Sequence, residues 1–171
     1  MGRNASYIAI DDGPLDELGK PESDEEFRQK FPDGVEESDW PRIVIGKVWD
    51  ALHCTLTGVT AADPIRDNRL SEAVVGVYPR IYDDDDYSIY VSVIDLENLP
   101  EILKALWPID ESFLQERFDP KVMKQQRLYP AGIWQGDPEQ LIGEMLSAVV
   151  ELRKFVTQTI SDHRHVLATI V

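Results

Sequence analysis

The sequence predicts an α/β fold, with α+β as the alternative: a single compact layered domain over residues 1–171, with a small central sheet flanked by helices. Three stretches carry that prediction. Residues 87–94, Tyr-Ser-Ile-Tyr-Val-Ser-Val-Ile, are β-branched and aromatic and read as a strand. From residue 137, an N-cap aspartate, a proline at N1 and an apolar stripe of about six turns mark a long C-terminal helix. Residues 166–171 then form a short, apolar terminal strand. The composition agrees. At 43% hydrophobic residues the chain is not generally disordered, and 171 residues can bury a sizeable core.

In chain order, residues 6–10 read as a short strand that stops at the turn Asp11-Asp-Gly-Pro14. Pro14 can open a short helix, with Asp12 near its cap. Residues 21–40 are acidic and broken by Pro32-Asp-Gly34. A short helix over residues 24–31 would pack Phe27 against Phe31, four positions on. Trp40-Pro41 leads into the most informative stretch.

Residues 42–64 read as one amphipathic helix that stops at Gly58, a residue suited to a left-handed C′ position. On a 3.6-residue period Ile45, Val48, Trp49, Leu52 and Leu56 fall within an arc of roughly 100°, the width of a core-facing stripe. Gly46, Asp50, His53 and Thr57 stack along its flank. In this ladder Asp50 could orient His53, and Thr57 could hold a water or ligand beside it. The bland alternative is a half-buried histidine at the stripe's margin with its ring nitrogen satisfied. Cys54 is the one cysteine, so no intrachain disulfide exists. It adjoins His53, and neighbours diverge by about 100° around a helix, a poor geometry for a Cys-His nucleophile pair.

Residues 59–69 form a loop, and residues 70–75 a short helix with Ser71 and Glu72 near its start, stopped by Gly76 and Pro79. Four aspartates at 83–86 suggest calcium, but the EF-hand glycine and closing glutamate are missing, and a solvated loop explains them better. Asp95 caps a helix to Trp107 with Leu96, Leu99, Leu103 and Leu106 as its stripe; Pro100 lies in its first turns and Pro108 ends it. Asp110 and Asp119-Pro120 open two more short helices. Leu128-Tyr129-Pro130 begins a loop rich in aromatics that could line a pocket or only cap the core. In the last helix Asp137 is the N-cap and Gln140 sits at the capping-box position. Leu141, Met145, Ala148, Val149, Leu152, Val156 and Ile160 form its stripe. Asp162, His163 and His165 follow. They could bind a metal, but a two-residue His spacing is weak, and a favourable charge at the helix end accounts for them. No metal or cofactor is expected.

The formal net charge is −15, from 32 acids and 17 bases. Residues 11–40 hold twelve acids and three bases, and residues 83–119 eleven acids and two bases, so each block carries −9. Such surfaces repel nucleic acid phosphates and anionic lipid, which excludes both as partners, and favour a basic protein partner or simple solubility. No apolar run approaches 18 residues and no leader is evident, so the expected location is cytoplasmic. Gly2 and Ser6 match a myristoylation pattern, but a strand starts at once and no basic cluster supplies a second anchor. Phosphate-loop, dinucleotide, nucleophile-elbow, HExxH and CxxC motifs are all missing.

The segment Lys47-Val-Trp-Asp-Ala-Leu-His-Cys-Thr-Leu-Thr-Gly58, with Asp63-Pro64, Leu70-Ser71, Ala73-Val-Val-Gly76 and Leu128-Tyr-Pro130, resembles the bacterial YfbM-like family, a domain-of-unknown-function family. The resemblance runs in order along nearly the whole chain. It implies a compact α/β layered domain and no particular reaction. Three functions stay open. One is a binding or interaction protein using the acidic surfaces, for example an immunity protein that neutralises a basic toxin. Another is an enzyme on a small polar molecule, with His53 as acid or base and Trp49, Asp50, Thr57 and Tyr129 around it. The third is an acidic housekeeping fold with no small-molecule site.

Overall fold

The C-terminal strand lies in the middle of the sheet. The computed structural model describes residues 3–18, 39–82 and 90–171. Within them five strands, β1 (Ala5–Ile10), β2 (Arg42–Gly46), β3 (Pro79–Tyr82), β4 (Tyr90–Ile94) and β5 (His165–Ile170), pair in the order β2-β1-β5-β4-β3. Every neighbouring pair is antiparallel. The helix-flanked small sheet, the long last helix and the terminal strand are all present, in the α+β form of the predicted class. β5 pairs with β1 from Ala5↔Ile170 to Ile10↔His165 and with β4 from Tyr90↔Ile170 to Ile94↔Val166. Its near-continuous apolar run suits a strand buried on both faces.

The helices are α1 (Asp12–Leu18), α2 (Trp49–Thr57), α3 (Arg69–Val75), α4 (Leu99–Leu106), α5 (Glu111–Arg117), α6 (Pro120–Gln125) and α7 (Pro138–Ser161). The larger core holds Tyr7 and Ala168 of the sheet with Leu52, Val74, Ile102, Leu114, Met145 and Leu152 of the helices. A smaller one, on side chains of alternate parity, contains Ile8, Ile10, Val91, Val93 and Leu167, with Leu15 of α1 and Trp40 against it.

The long α7 follows its sequence pattern. Leu141, Met145, Ala148, Val149, Leu152 and Val156 are buried and Ile160 is half-buried. Asp137 caps it by accepting from the Glu139 amide at 3.0 Å. Gln140 does not complete a capping box: its amide donates forward to Glu144 at 2.9 Å. The α4 region starts with a 3-10 turn, Leu96–Asn98, so Asp95 precedes that turn and Pro100 lies in the first turn of the α-helix. Ile102, fully buried, joins the expected leucines.

Residues 42–64 are not one helix, contrary to the expectation from their spacing. Residues 42–46 are strand β2, paired through Tyr7↔Ile43 and Ser6↔Val44, and α2 starts only at Trp49. Consecutive β-branched residues, Ile43-Val44-Ile45, prefer the extended backbone. Ile45 matched the helical stripe by coincidence of spacing. Gly46, at φ +68°, turns the chain out of the strand, so it is no part of the α2 flank. The helix does end at Gly58, at φ +87°, whose amide donates to the Cys54 carbonyl at 2.7 Å. The expected helix over residues 24–31, the aspartates at 83–86 and the strand's start at 87–89 lie outside the described residues.

Candidate functional site

Asp50 stands in the first turn of α2 and is buried, 2% exposed. A carboxylate there costs free energy unless its oxygens are satisfied. One oxygen, Oδ1, accepts from the Ala61 amide at 2.8 Å and the Thr60 hydroxyl at 3.0 Å. The other, Oδ2, accepts from the Tyr129 amide at 2.7 Å. One side chain therefore ties the start of α2 to the loop after it and to the aromatic loop some 79 residues on.

That tie places Tyr129 against Trp49. The rings stack with centroids 5.7 Å apart and planes 21° from parallel, within the offset-stacked range. Both also hold the N-terminal backbone. The Tyr129 hydroxyl accepts from the Arg3 amide at 2.7 Å, and the Trp49 indole donates to the Arg3 carbonyl at 3.3 Å. Over this pair opens a cleft of about 450 Å³, lined also by Thr60, Ala61, Pro64, Arg66, Val77, Tyr90 and Arg127. Its size is ordinary for a small-molecule site.

Of the five residues singled out in the sequence, Trp49, Asp50 and Tyr129 line this cleft. His53 and Thr57 do not. One turn further along α2, His53 is 0% exposed. Its Nδ1 lies 2.9 Å from the Val59 carbonyl and its Nε2 2.7 Å from the Ser71 hydroxyl. A carbonyl only accepts, so Nδ1 carries the proton and Nε2 accepts from Ser71. Ser71 in turn accepts from the Ile65 amide at 2.9 Å. Burial lowers the imidazole's pKa, outweighing the raising effects of the Val59 bond and the Asp50 charge. The Asp50 carboxylate acts on His53 through its charge, with its own hydrogen bonds spent elsewhere. Thr57 donates back to the His53 carbonyl at 2.7 Å, a bond within the last turn of the helix. An imidazole sealed in this way meets no substrate.

Cys54 is buried too, and burial, with the Asp50 and Asp119 charges, raises its thiol to about 11, so it is no thiolate nucleophile. His165 donates from Nε2 to Asp12 at 2.7 Å and accepts at Nδ1 from the Leu96 amide at 3.1 Å. Asp162 accepts from Gln158, and His163 turns to the Ser161 carbonyl. Among the described residues no three metal-ligating side chains gather.

Sequence reasoning missed Arg3, Arg66, Arg127 and Tyr90. Nothing in their local patterns marks them, because they reach the cleft from the segment before β1, two loops and β4. The one available signal was that the chain outside its two acidic blocks is slightly positive.

A family model described as "Domain of unknown function (DUF1877)" matches residues 1–169. Protein YfbM of Escherichia coli (strain K12) is 26% identical over 134 residues, covering 76% of this chain and 77% of that protein. The crystal structure of YfbM, a protein of unknown function from Escherichia coli, superposes with a TM-score of 0.76 at 24% identity, covering 98% of this chain and 99% of that one. The two share the fold.

Proposed function

We propose that this chain, which belongs to the DUF1877 family of unknown function, is a binding protein whose ligand site is the cleft over Trp49 and Tyr129. The carrying observation is Asp50. A buried carboxylate spends both oxygens on three donors from two loops, one next in the chain and one distant, and what that arrangement holds in place is a stacked aromatic wall in an open concavity. Preorganised apolar surface beside fixed polar groups is what a small-molecule site needs. A His53-based enzyme lacks support, since its acid-base group would have to reach the cleft. The test is a fragment screen by protein-observed NMR on the full chain. Planar fragments should shift the amides of Ala61, Arg66 and Tyr129 together. Hits confined to surfaces remote from these three amides would remove the reading.

A second reading, interaction with a basic protein partner through the acidic blocks, rests on charge alone, and neutralisation of a basic toxin is its concrete form. Partners captured from native lysate in low salt should be basic and should elute as the Debye length falls below roughly 8 Å. Recovery of neutral, salt-insensitive partners alone would discard it.

A further inference from the structure

We infer that the cleft takes a planar aromatic molecule bearing a phosphate or carboxylate group, the rings lying on Trp49 and Tyr129 and the anion among Arg3, Arg66 and Arg127. This rests on the cleft being a binding site. Its charge is the opposite of the molecule's. The chain carries −15, yet three arginines line this one concavity. None of the three has a carboxylate at ion-pair distance among the described residues. The nearest specific contact of a guanidinium is that of Arg66, 5.9 Å over the exposed Tyr78 ring. Among the described residues the one acid in the lining is Asp50, whose oxygens accept from the Thr60 hydroxyl and the Ala61 and Tyr129 amides, so no guanidinium is hydrogen-bonded to it and three arginines face a single carboxylate. Arginines that line one concavity, with no ion-paired carboxylate among the described residues, suit an anion from outside, and their planar forks match phosphate or carboxylate. Apart from Thr60, the rest of the lining is apolar or aromatic, with Pro64, Val77, Pro79, Tyr90 and Ile170 the larger groups. A bare inorganic anion would leave that surface uncovered, whereas an aromatic body stacks on it.

Isothermal titration of the full chain with adenosine 5′-monophosphate, indole-3-acetate, adenosine and inorganic phosphate tests this. At least one aromatic anion should bind, with adenosine and phosphate each about 10-fold weaker or more, and Arg66→Gln and Arg127→Gln should each weaken it by about 10-fold. Both arginines are exposed, so these variants should keep the fold. Preference for the nucleotide would assign a phosphate ligand, and preference for indole-3-acetate a carboxylate. Adenosine binding as tightly as its monophosphate, or affinity unchanged in both variants, overturns the anionic assignment and leaves the cleft reading standing. Phosphate alone binding as tightly overturns the aromatic half. No binding by any of the four overturns this inference, while the cleft reading stands or falls with the fragment screen.

Discussion

At the residue scale, one turn of α2 separates two buried polar groups with different tasks. Asp50 holds two loops around the cleft, while His53 clasps Val59 and Ser71 beneath it. The His53 imidazole should titrate below its ordinary value of about 6.5, and Asp50→Asn should lower it further, because the carboxylate's charge is one of the influences that favour imidazolium. NMR titration of both proteins checks this, and an identical value in the two would deny any coupling. The same shift makes stability depend on pH. Between the lowered folded value and about 6.5 the unfolded chain binds more protons at this site than the folded one, so stability rises with pH there. The contribution is fully present above about 6.5 and is lost as pH falls through the folded value. Denaturation at pH 7.5 and 5.5 should therefore show a drop that is smaller in His53→Gln. An equal drop in both would assign the acid sensitivity to other groups.

At the scale of elements, β2 and α2 adjoin in the chain but differ in burial. Leu52 of α2 is fully buried, whereas Val44 of β2 is 57% exposed on an edge strand. Leu52→Ala should cost roughly 2–5 kcal/mol, the lost transfer free energy plus a cavity. Val44→Thr keeps the β-branched shape in an exposed position and should stay within about 0.5 kcal/mol. Urea denaturation of the two variants decides. Comparable losses would mean that the packing faces of these neighbouring elements are misassigned. The sequence did expose the alternation in α7 and the break at Gly58, because those signals are local. It hid β2, because five residues are too few to separate periods of 2.0 and 3.6 when they adjoin a real helix.

For the whole molecule, the position of β5 ties the chain's end to its start. Asn4 and Val171 exchange backbone hydrogen bonds at 2.7 and 3.1 Å, and β5 bridges β1 and β4. A central strand opens only when the sheet comes apart, so the amides of Leu167, Ala168 and Thr169 should exchange at the rate set by global unfolding. Hydrogen exchange against denaturant shows this as protection that converges on the global free energy. Faster, local exchange would mean that the terminal strand peels away on its own. The strand is held on both sides, by β1 and by β4.

The sequence by itself determined the class of fold, the Asp137 cap of the long helix and the C-terminal strand, and it singled out Trp49, Asp50 and Tyr129, which line one cleft. These follow from propensity, periodicity and residue chemistry, which act over a few neighbouring positions. Tertiary structure alone decided where His53 and the arginines belong. Residues one turn apart on α2 end in different surroundings because the loop after Gly58 folds back over the helix, offering its Thr60 and Ala61 donors to Asp50 and its Val59 carbonyl to His53. Arg3, Arg66 and Arg127 meet at one cleft because antiparallel pairing and loop closure bring distant segments together, and no periodicity in the chain records that meeting.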